Sequence, residues 1–263
     1  MAAPPVILSI AGYDPSSGAG ITADIKTAAA QGCYAVTCMT AWTIQSTQGV
    51  FRVRALEPEL VSATLNALAD DVAFAAVRIG MLGSGEVAAA VAEFLEKRRL
   101  PNIVLDPVVR SSSGAALLDD AGVNVLRTRL LPLCEVVTPN GYEAMVLAEA
   151  ADFLVQGVRP LADALHALGA KAVVITGGEL DPPNDFLSDC RSGTVREEVF
   201  PGERVESRST HGTGCAFATA LACRLALGDE LQQAIRAAKE YVRRAIATAY
   251  PLGKGTGPVN HFG

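Results

Sequence analysis

The chain has 263 residues, of which 50% are hydrophobic and 19% are charged, against a usual charged share of about 25%. A chain of this length hides roughly three quarters of the surface that its unfolded form exposes, so its core needs no disulfide or metal. The apolar content excludes intrinsic disorder, and a net charge of −6 without a basic stripe argues against nucleic acid as a partner. The length predicts a single domain over residues 1–263.

The sequence predicts a cytoplasmic protein that does not cross a membrane. No uncharged stretch supplies the roughly 20 apolar residues of a membrane span, and no basic residue precedes the first apolar run. The six cysteines contain no C-x-x-C pair, and the three histidines are too scattered to indicate a zinc site. Free thiols without a secretory signal indicate a reducing compartment.

Short β-branched runs alternate with alanine-rich helical stretches along the chain. The predicted strands cover 6–10, 34–41, 74–79, 102–106, 136–138 and 172–176, followed by a hairpin over 186–190 and 194–200. The predicted helices cover 19–30, begin at Glu57-Pro58 and behind Ser84, and later cover 215–226 and 229–249. This alternation predicts an α/β fold with a mostly parallel central sheet and helices on both faces. Ligands of such sheets bind at the carboxyl ends of the strands, so the site residues should directly follow strands.

The loop over residues 11–20, behind the first strand, is rich in glycine and serine. Gly18–Ala23 fits the loose dinucleotide pattern G-x-G-x-x-G/A, but it does not follow the strand directly and no acid ends the second strand. An NAD site is therefore excluded. The loop is either a flexible turn or a substrate loop whose glycines let backbone N–H groups approach a small ligand. Asp24 either complements the helix dipole in solvent or holds a ligand hydroxyl or amine.

A second glycine-rich cluster over 209–217 opens an apolar helix. The Gly-Thr-Gly run at 212–214 aligns free backbone N–H groups, to which the helix dipole adds positive charge, so it predicts an anion site. It is not a Walker A loop, because the chain has no Gly-Lys-Ser/Thr. Cys215, in the first helical turn, should be biased toward thiolate. It is a buried structural thiol, a nucleophile paired with His211, or a general base beside a bound phosphate.

Three further clusters follow buried strands. Asp106 closes one strand ahead of a Ser/Gly loop, which suits Mg²⁺ or phosphate contacts. Asn140 either caps the next helix or reaches a hydrated Mg²⁺ together with Glu143. The pair Gly177-Gly178 lets a nucleotide approach the backbone, although as a lone motif it is weak.

Taken together and in this order, the clusters resemble the hydroxymethylpyrimidine/phosphomethylpyrimidine kinases of thiamine biosynthesis, within the ribokinase-like superfamily. The specific matches are the opening Ala11-Gly12-Tyr13-Asp14-Pro15-Ser16 and the run His211-Gly212-Thr213-Gly214-Cys215. Further matches are Gln45-Ser46-Thr47, Ile79-Gly80-Met81-Leu82, Asp106-Pro107-Val108, Thr138-Pro139-Asn140 and Gly257-Pro258-Val259-Asn260-His261-Phe262. The resemblance implies a three-layer ribokinase-like fold and an ATP- and Mg²⁺-dependent kinase. It would phosphorylate 4-amino-5-hydroxymethyl-2-methylpyrimidine and then its monophosphate, and the family suggests a homodimer.

The resemblance also assigns roles by position. It makes Cys215 the general base, beside an anion hole of Gly212, Thr213 and Gly214. It assigns the pyrimidine pocket to Gly12, Asp24, Gln45, Met81 and Val108, ATP binding to Asn140, Thr176, Gly178 and Thr213, and the metal to Asp106 and Glu143. Many relatives carry a lysine where Thr176 stands, so Arg110 is a candidate for the positive charge missing on the ATP phosphates. Relatives often carry another lysine in the loop after Asp106, which bears on the phosphate partner of the second transfer.

Other functions compete with this one. A pyridoxal or pyridoxine kinase shares the fold and also accepts a hydroxymethyl group, although Gln45 beside Met81 favours an aminopyrimidine edge. Cys215 and His211 could instead form a cysteine acyl-transfer enzyme, which predicts a covalent adduct. A non-catalytic pyrimidine-binding protein is the third alternative, and the missing lysine at Thr176 keeps it open.

Overall fold

The computed structural model of the chain describes residues 3–150 and 157–262. Its strands are β1 (Val6–Tyr13), β2 (Tyr34–Ser46), β3 (Gly49–Ala55), β4 (Ala76–Ile79), β5 (Ile103–Leu105), β6 (Val136–Val137), β7 (Ala172–Ile175), β8 (Asp185–Asp189) and β9 (Arg196–Phe200). Its α-helices are α1 (Gly20–Ala30), α2 (Pro58–Asp71), α3 (Gly85–Arg98), α4 (Asp120–Val125), α5 (Gly141–Ala148), α6 (Val158–Ala167), α7 (Thr213–Ala226) and α8 (Leu231–Ala247). A π-helical turn (Leu126–Leu130) and a 3-10 turn (Leu131–Leu133) follow α4.

The strands form a single sheet in the order β3-β2-β1-β4-β5-β6-β7-β8-β9. The pairs from β2 to β7 are parallel, and β3, β8 and β9 join antiparallel at the two edges. After β1 the chain first extends one side of the sheet and then crosses to the other side with β4. Ligands of open parallel sheets bind at such a switch point, outside the carboxyl ends of the strands.

Two apolar layers cover the two faces of the sheet. Successive strand residues point to opposite faces, so Leu8 and Ile10 pack into one layer with α2, α3, α5 and α6. Ile7 packs into the other layer with α1, α7 and α8. The structure thus confirms the predicted α/β fold, with a mostly parallel sheet and helices on both faces. Among the residues that the structure describes, no helix combines the length and the apolar character of a membrane span.

The hairpin of β2 and β3 was not predicted from the sequence. We expected the second strand to end at residue 41, but it continues to Ser46 and pairs antiparallel with β3. Polar and apolar residues alternate in this extension because one face lines the cleft, with Thr43, and the other faces solvent, with Trp42 and Ile44. An alternating edge hairpin lacks the continuous apolar run that identifies a buried parallel strand.

Three helices, α4, α5 and α6, also lie outside the predicted elements. The helix α5 was expected only as one alternative, namely that Asn140 caps a following helix. That alternative is confirmed, because Asn140 Oδ1 accepts a hydrogen bond from Glu143 N and Glu143 Oε2 accepts one from Asn140 N. These helices have 6 to 10 residues, which is too short for a helical period to stand out.

Candidate active site

A cleft of about 1360 Å³ opens at the carboxyl ends of the strands. Its volume exceeds the roughly 300–1,000 Å³ of a site for one drug-sized ligand, so it has room for two substrates. It brings together, from separate loops, most of the residues singled out in the sequence: Gly12, Gln45, Met81, Asp106, Val108, Asn140, Glu143, Thr176, Gly178, Gly212, Thr213, Gly214 and Cys215. Asp24 is the exception.

The glycine run before α7 forms a tight turn that opens toward the cleft. Gly212 has a φ of +88°, and a Cβ built on it would lie 1.7 Å from the carbonyl oxygen of Gly18, so only glycine fits there. A Cβ on Gly214 would meet nothing within 4 Å. The first N–H groups of a 14-residue helix have no partner within the helix, and here they border the open side of the turn. The geometry therefore suits an anion, as the sequence predicted.

Cys215 follows this turn and is half-buried on the cleft wall. Burial raises the pKa of Cys215 to about 12, and Asp106 and Asp24 add to the rise while Arg78 opposes it. The expected bias toward thiolate is therefore wrong, because desolvation outweighs the effect of the helix terminus. At neutral pH the side chain is a thiol.

His211 pairs with Asp14 and not with the cysteine. Its Nε2 lies 2.8 Å from Asp14 Oδ2 and 3.2 Å from Gln45 Nε2. Burial alone would raise the pKa of Asp14, but hydrogen bonds from His211 and Ser16 outweigh it and hold this pKa below the usual value. Among the hydrogen bonds of the described residues, none joins His211 to Cys215. The nucleophile pair that an acyl-transfer enzyme requires is therefore not formed.

A fully buried arginine lies beneath the cleft floor. Arg78 Nη1 donates to Asp24 Oδ2 at 3.1 Å, and Arg78 Nη2 donates to Asp106 Oδ2 at 2.6 Å. Ser9 and Thr219 also donate to Asp24, at 2.6 and 2.7 Å. Asp24 has no exposed surface, so the structure does not bring it to a substrate: its carboxylate is occupied by these three partners. Asp24 helps to hold Arg78 in place, and Arg78 in turn holds Asp106.

Asp106 and Glu143 form a pair of buried acids that face the cleft. Burial raises the pKa of Glu143 well above its usual value, and the neighbouring Asp106 adds to this rise. Burial also raises the pKa of Asp106, against the effect of Arg78. Two carboxylates that are hard to ionise together form a site that a cation would stabilise.

The acceptor end of the cleft is small and apolar. Met81 packs with Ala41 and Leu117, and Val108 packs against this cluster. A Cβ on Gly12 would lie 2.9 Å from Met81 Sδ, so glycine lets the methionine close the pocket. Thr43 and Gln45 supply polar groups at the same end. A flat heteroaromatic ring with one polar edge fits this composition.

The opposite end of the cleft is built on the turn after β7. Thr176 pairs through its backbone with Pro139, and Gly177 N donates to Asp185 Oδ1 at 2.8 Å. Lys239 Nζ lies 2.7 Å from Asp185 Oδ2 and lines the cleft. Gly178 is exposed, and a Cβ there would meet nothing within 4 Å, so the turn is open to a ligand.

Three cleft residues received no role in the sequence analysis. Asp14 lies inside a quoted motif, and an acid in the loop after a strand was an available signal. Arg78 gave a clearer signal, because a charged residue interrupts the apolar strand Ala-Val-Arg-Ile. Lys239 gave none, since its position depends on a contact with Asp185, 54 residues away.

Comparisons with known proteins agree with this geometry. The phosphomethylpyrimidine kinase family matches residues 14–260. The chain is 42% identical over 256 residues to a thiamine biosynthesis bifunctional protein of Geobacter sulfurreducens, covering 97% of this chain and 52% of that protein. It is 38% identical over 258 residues to a hydroxymethylpyrimidine/phosphomethylpyrimidine kinase of Haemophilus influenzae, covering 97% and 96% of the two chains. The chain thus spans about half of the first relative and nearly all of the second.

Solved structures share the fold. An ADP complex of Bacillus subtilis pyridoxal kinase superposes with a TM-score of 0.87 at 33% identity, covering 98% of each chain. A phosphomethylpyrimidine kinase of Clostridium difficile superposes with a TM-score of 0.80 at 34% identity, covering 92% of this chain and 99% of that one. These similarities confirm the ribokinase-like architecture that the motifs implied. From its motifs, its fold and the match over 14–260, the chain belongs to the phosphomethylpyrimidine kinase family.

Proposed function

We propose that this chain transfers the γ-phosphoryl group of ATP to the hydroxymethyl group of 4-amino-5-hydroxymethyl-2-methylpyrimidine, and then phosphorylates the resulting monophosphate. One observation carries the proposal. The same cleft joins a pocket for a flat ring, an anion cradle at 212–214 and a pair of buried acids. These are the three parts that a phosphoryl transfer to a heteroaromatic alcohol requires.

In the acceptor pocket, Met81 and Val108 enclose the ring and Gln45 offers a donor and an acceptor to the aminopyrimidine edge. Gly12 allows the ring to approach the backbone. This arrangement aims the hydroxymethyl group at the start of α7. Positioning of this kind supplies much of the rate enhancement when the transition state is loose.

Mg²⁺ fits the acids at the centre of the cleft. Mg²⁺ is usually held by one or two carboxylates together with phosphate oxygens and water, and Asp106 and Glu143 supply the two carboxylates. Burial raises both pKa values, that of Asp106 in spite of its pairing with Arg78, and a divalent cation would favour the ionised form of both acids. When bound there, the ion neutralises charge on the phosphates.

The transfer itself needs a cradle and a proton acceptor. The acceptor hydroxyl oxygen forms a bond to the γ-phosphorus, the bond from that phosphorus to the β–γ bridging oxygen breaks, and ADP leaves. The N–H groups of Gly212, Thr213 and Gly214 stabilise charge on the moving phosphoryl group. Cys215 accepts the hydroxyl proton, which requires its thiolate form, so we expect the raised pKa to limit the rate at neutral pH.

The nucleotide is proposed to occupy the end built on β7, near Asn140, Thr176 and Gly178, with its terminal phosphate reaching Thr213. The similar Bacillus subtilis kinase was solved with ADP, which supports a nucleotide in this fold. Lys239 faces this end from α8, but it already pairs with Asp185, so the phosphates would have to compete with that carboxylate for its charge.

A coupled assay tests the proposal. The purified protein, with ATP and Mg²⁺, is given the pyrimidine alcohol and then its synthetic monophosphate, and ADP release is followed together with product mass. We expect both acceptors to be phosphorylated. A protein that binds the alcohol without any stimulated ADP release would be the non-catalytic binding protein.

Pyridoxal kinase activity is the second candidate, because one similar structure is a pyridoxal kinase. The polar edge at Gln45 beside Met81 favours the aminopyrimidine. Competition between pyridoxal and the pyrimidine alcohol in the same assay separates the two activities by their kcat/KM ratio.

We also propose that residues 1–263 act as one kinase domain and that the protein is a cytoplasmic homodimer. The side of the β2–β3 hairpin that faces away from the cleft exposes Trp42 and Ile44, at 50% and 54%, so it is the natural place for a second copy. Ile44→Glu should convert the dimer to a monomer in analytical ultracentrifugation. A wild-type protein that sediments as a monomer would refute the dimer.

A further inference from the structure

Almost every basic side chain that lines the cleft already has a hydrogen-bond or ion-pair partner. Within residues 3–150 and 157–262, five basic side chains that line the cleft pair with a carboxylate: Arg78, His211, Arg236, Lys239 and Arg243. A sixth, Arg204, donates to the backbone carbonyls of Gly178 and Leu180. These groups are already occupied, so a further anion would have to compete for them.

Arg110 differs from the other six. It is exposed in the cleft, and in the described part of the chain its side chain has no carboxylate or carbonyl partner. Its guanidinium carbon lies 4.9 Å from the ring centroid of Tyr142. A cation–π contact directs the guanidinium group but leaves all its N–H donors available. Arg110 is thus an oriented cation without a counter-charge.

Arg110 begins a serine-rich loop over residues 110–116, whose two ends are held together by backbone and side-chain contacts. A backbone bridge between Arg110 and Ala116 closes the loop, and Ser111 Oγ accepts from Ala115 N at 3.0 Å. Ser113 Oγ lies 3.4 Å from Val50 N, so the loop touches the hairpin that holds Gln45. The loop therefore reaches the hairpin at the acceptor end, and the hydroxyl oxygens of Ser111 and Ser113 lie 2.9 Å apart in it.

The proposed second transfer creates an electrostatic demand that the first does not. In the first transfer the acceptor is a neutral alcohol. In the second it is a monophosphate carrying about −1.5 to −2 charge, which must approach the triphosphate in a cleft that also contains Asp106 and Glu143. A cation that is free at the acceptor end would offset this repulsion.

We propose that Arg110, with the hydroxyl groups of Ser111 and Ser113, binds the phosphate group of the monophosphate acceptor. A guanidinium fork matches two phosphate oxygens, and whichever of the two mutually hydrogen-bonded serine hydroxyls does not donate to its neighbour can donate to the third. The site rests on the proposed function for the identity of its ligand. It makes Arg110 a specificity residue for the second substrate, with no role in the binding of the alcohol.

The test compares Arg110→Met and Arg110→Lys with the wild type, and Arg196→Met serves as a matched control because Arg196 is exposed on β9 outside the cleft. Binding of the synthetic monophosphate is measured by calorimetry without ATP, and KM is measured for the alcohol, the monophosphate and ATP.

In Arg110→Met we expect the Kd and KM of the monophosphate to rise about 10- to 100-fold, because a charge-assisted contact is lost. The KM values for the alcohol and ATP should stay within about twofold, and lysine should restore part of the affinity.

Two results would overturn the site. Unchanged monophosphate binding in Arg110→Met shows that the cation does not hold it. A rise in the KM of ATP by the same factor in both transfers assigns the anion to the nucleotide instead. The calorimetric arm requires no turnover, so it tests the site even if the wild type phosphorylates neither acceptor, a result that would refute the proposed function separately.

Discussion

Arg78 and Arg110 line the same cleft but face opposite physical situations. Arg78 has no exposed surface and bridges Asp24 and Asp106, whereas Arg110 is exposed and its guanidinium lies over the ring of Tyr142. A buried cation paired with two carboxylates holds its partners in one geometry. An exposed, unpaired one keeps its donors for a ligand, so the two arginines separate the support of the site from the recognition of a substrate.

The glycines show the same contrast. A Cβ on Gly80 would lie 2.0 Å from Arg78 Nη1, so the backbone is packed tightly against the buried arginine. A Cβ on Gly114, in the loop that Arg110 begins, would meet nothing within 4 Å. The floor of the cleft is therefore closely packed around Arg78, whereas the serine loop borders open space at Gly114.

The largest expected effect is on stability, in Arg78→Met. This substitution leaves Asp24 and Asp106 buried without their cation, so we expect the free energy of unfolding to fall by about 3–5 kcal/mol in urea denaturation. Arg159→Met is the control, because the Arg159 side chain is 68% exposed and its loss should change stability by less than about 0.5 kcal/mol. A loss below about 1 kcal/mol for Arg78→Met would show that the buried network does not stabilise the fold.

A second buried group, His261, extends this comparison to pH. Burial lowers its pKa to about 4 from the usual 6.5, with Lys26 adding to the effect, and its Nε2 lies 3.3 Å from Gly18 O in the substrate loop. The folded protein then binds fewer protons than the unfolded chain between pH 6.5 and 4. As the pH is lowered from 6.5 to 4, the free energy of unfolding should therefore decrease, by up to about 3 kcal/mol from this group. His261→Gln should show a shallower fall in parallel urea titrations, and identical slopes would contradict the assignment.

Glu143 should affect the pH dependence of the free energy of unfolding in the opposite direction. Its raised pKa means that ionisation at neutral pH destabilises the folded state, and this cost disappears as the pH falls below the ordinary glutamate value. We expect Glu143→Gln to gain about 1 kcal/mol of stability at pH 8, with a smaller gain at pH 4. The amide oxygen can still accept from Asn140 N, so the helix cap is kept. Calorimetry with Mg²⁺ and a nucleotide should show weakened metal binding; a variant that is destabilised at pH 8 would refute the account.

The smallest expected effect is on stability in Arg110→Met. An exposed side chain with one ring contact should change the free energy of unfolding by less than about 0.5 kcal/mol, measured in the same urea titration. A loss comparable to that of Arg78→Met would mean that Arg110 is structural after all.

The sequence predicted the central parallel strands and the start of α7 well, because buried β-branched runs and a glycine turn before an apolar helix are local signals. The β2–β3 hairpin was missed because its alternation reflects a cleft on one side and solvent on the other. Residues that directly follow strands line the cleft as expected, as Asp106 does, while their roles stay predictions. Asp24 does not line the cleft, because its surroundings depend on Arg78 and Thr219 from distant parts of the chain.

The thiolate expected at Cys215 failed for a related reason. Its position at a helix start is visible in the sequence, but the desolvation that raises its pKa comes from the whole cleft floor. The local sequence pattern therefore predicted where Cys215 lies, whereas its pKa depends on the packing around it.

The central claim is that Cys215 takes the proton of the accepting alcohol, and the pH dependence of turnover tests it most directly. Burial raises the pKa of the thiol to about 12, with Asp106 and Asp24 adding to the rise and Arg78 opposing it, so kcat/KM of the wild type should rise about tenfold per pH unit between pH 6 and 9. Cys215→Asp should retain activity with a shallower pH dependence than the wild type, and Cys215→Ala should lose about 10²–10⁴-fold. Equal activity of the alanine and aspartate variants, with a flat wild-type profile, would show that the cysteine only packs.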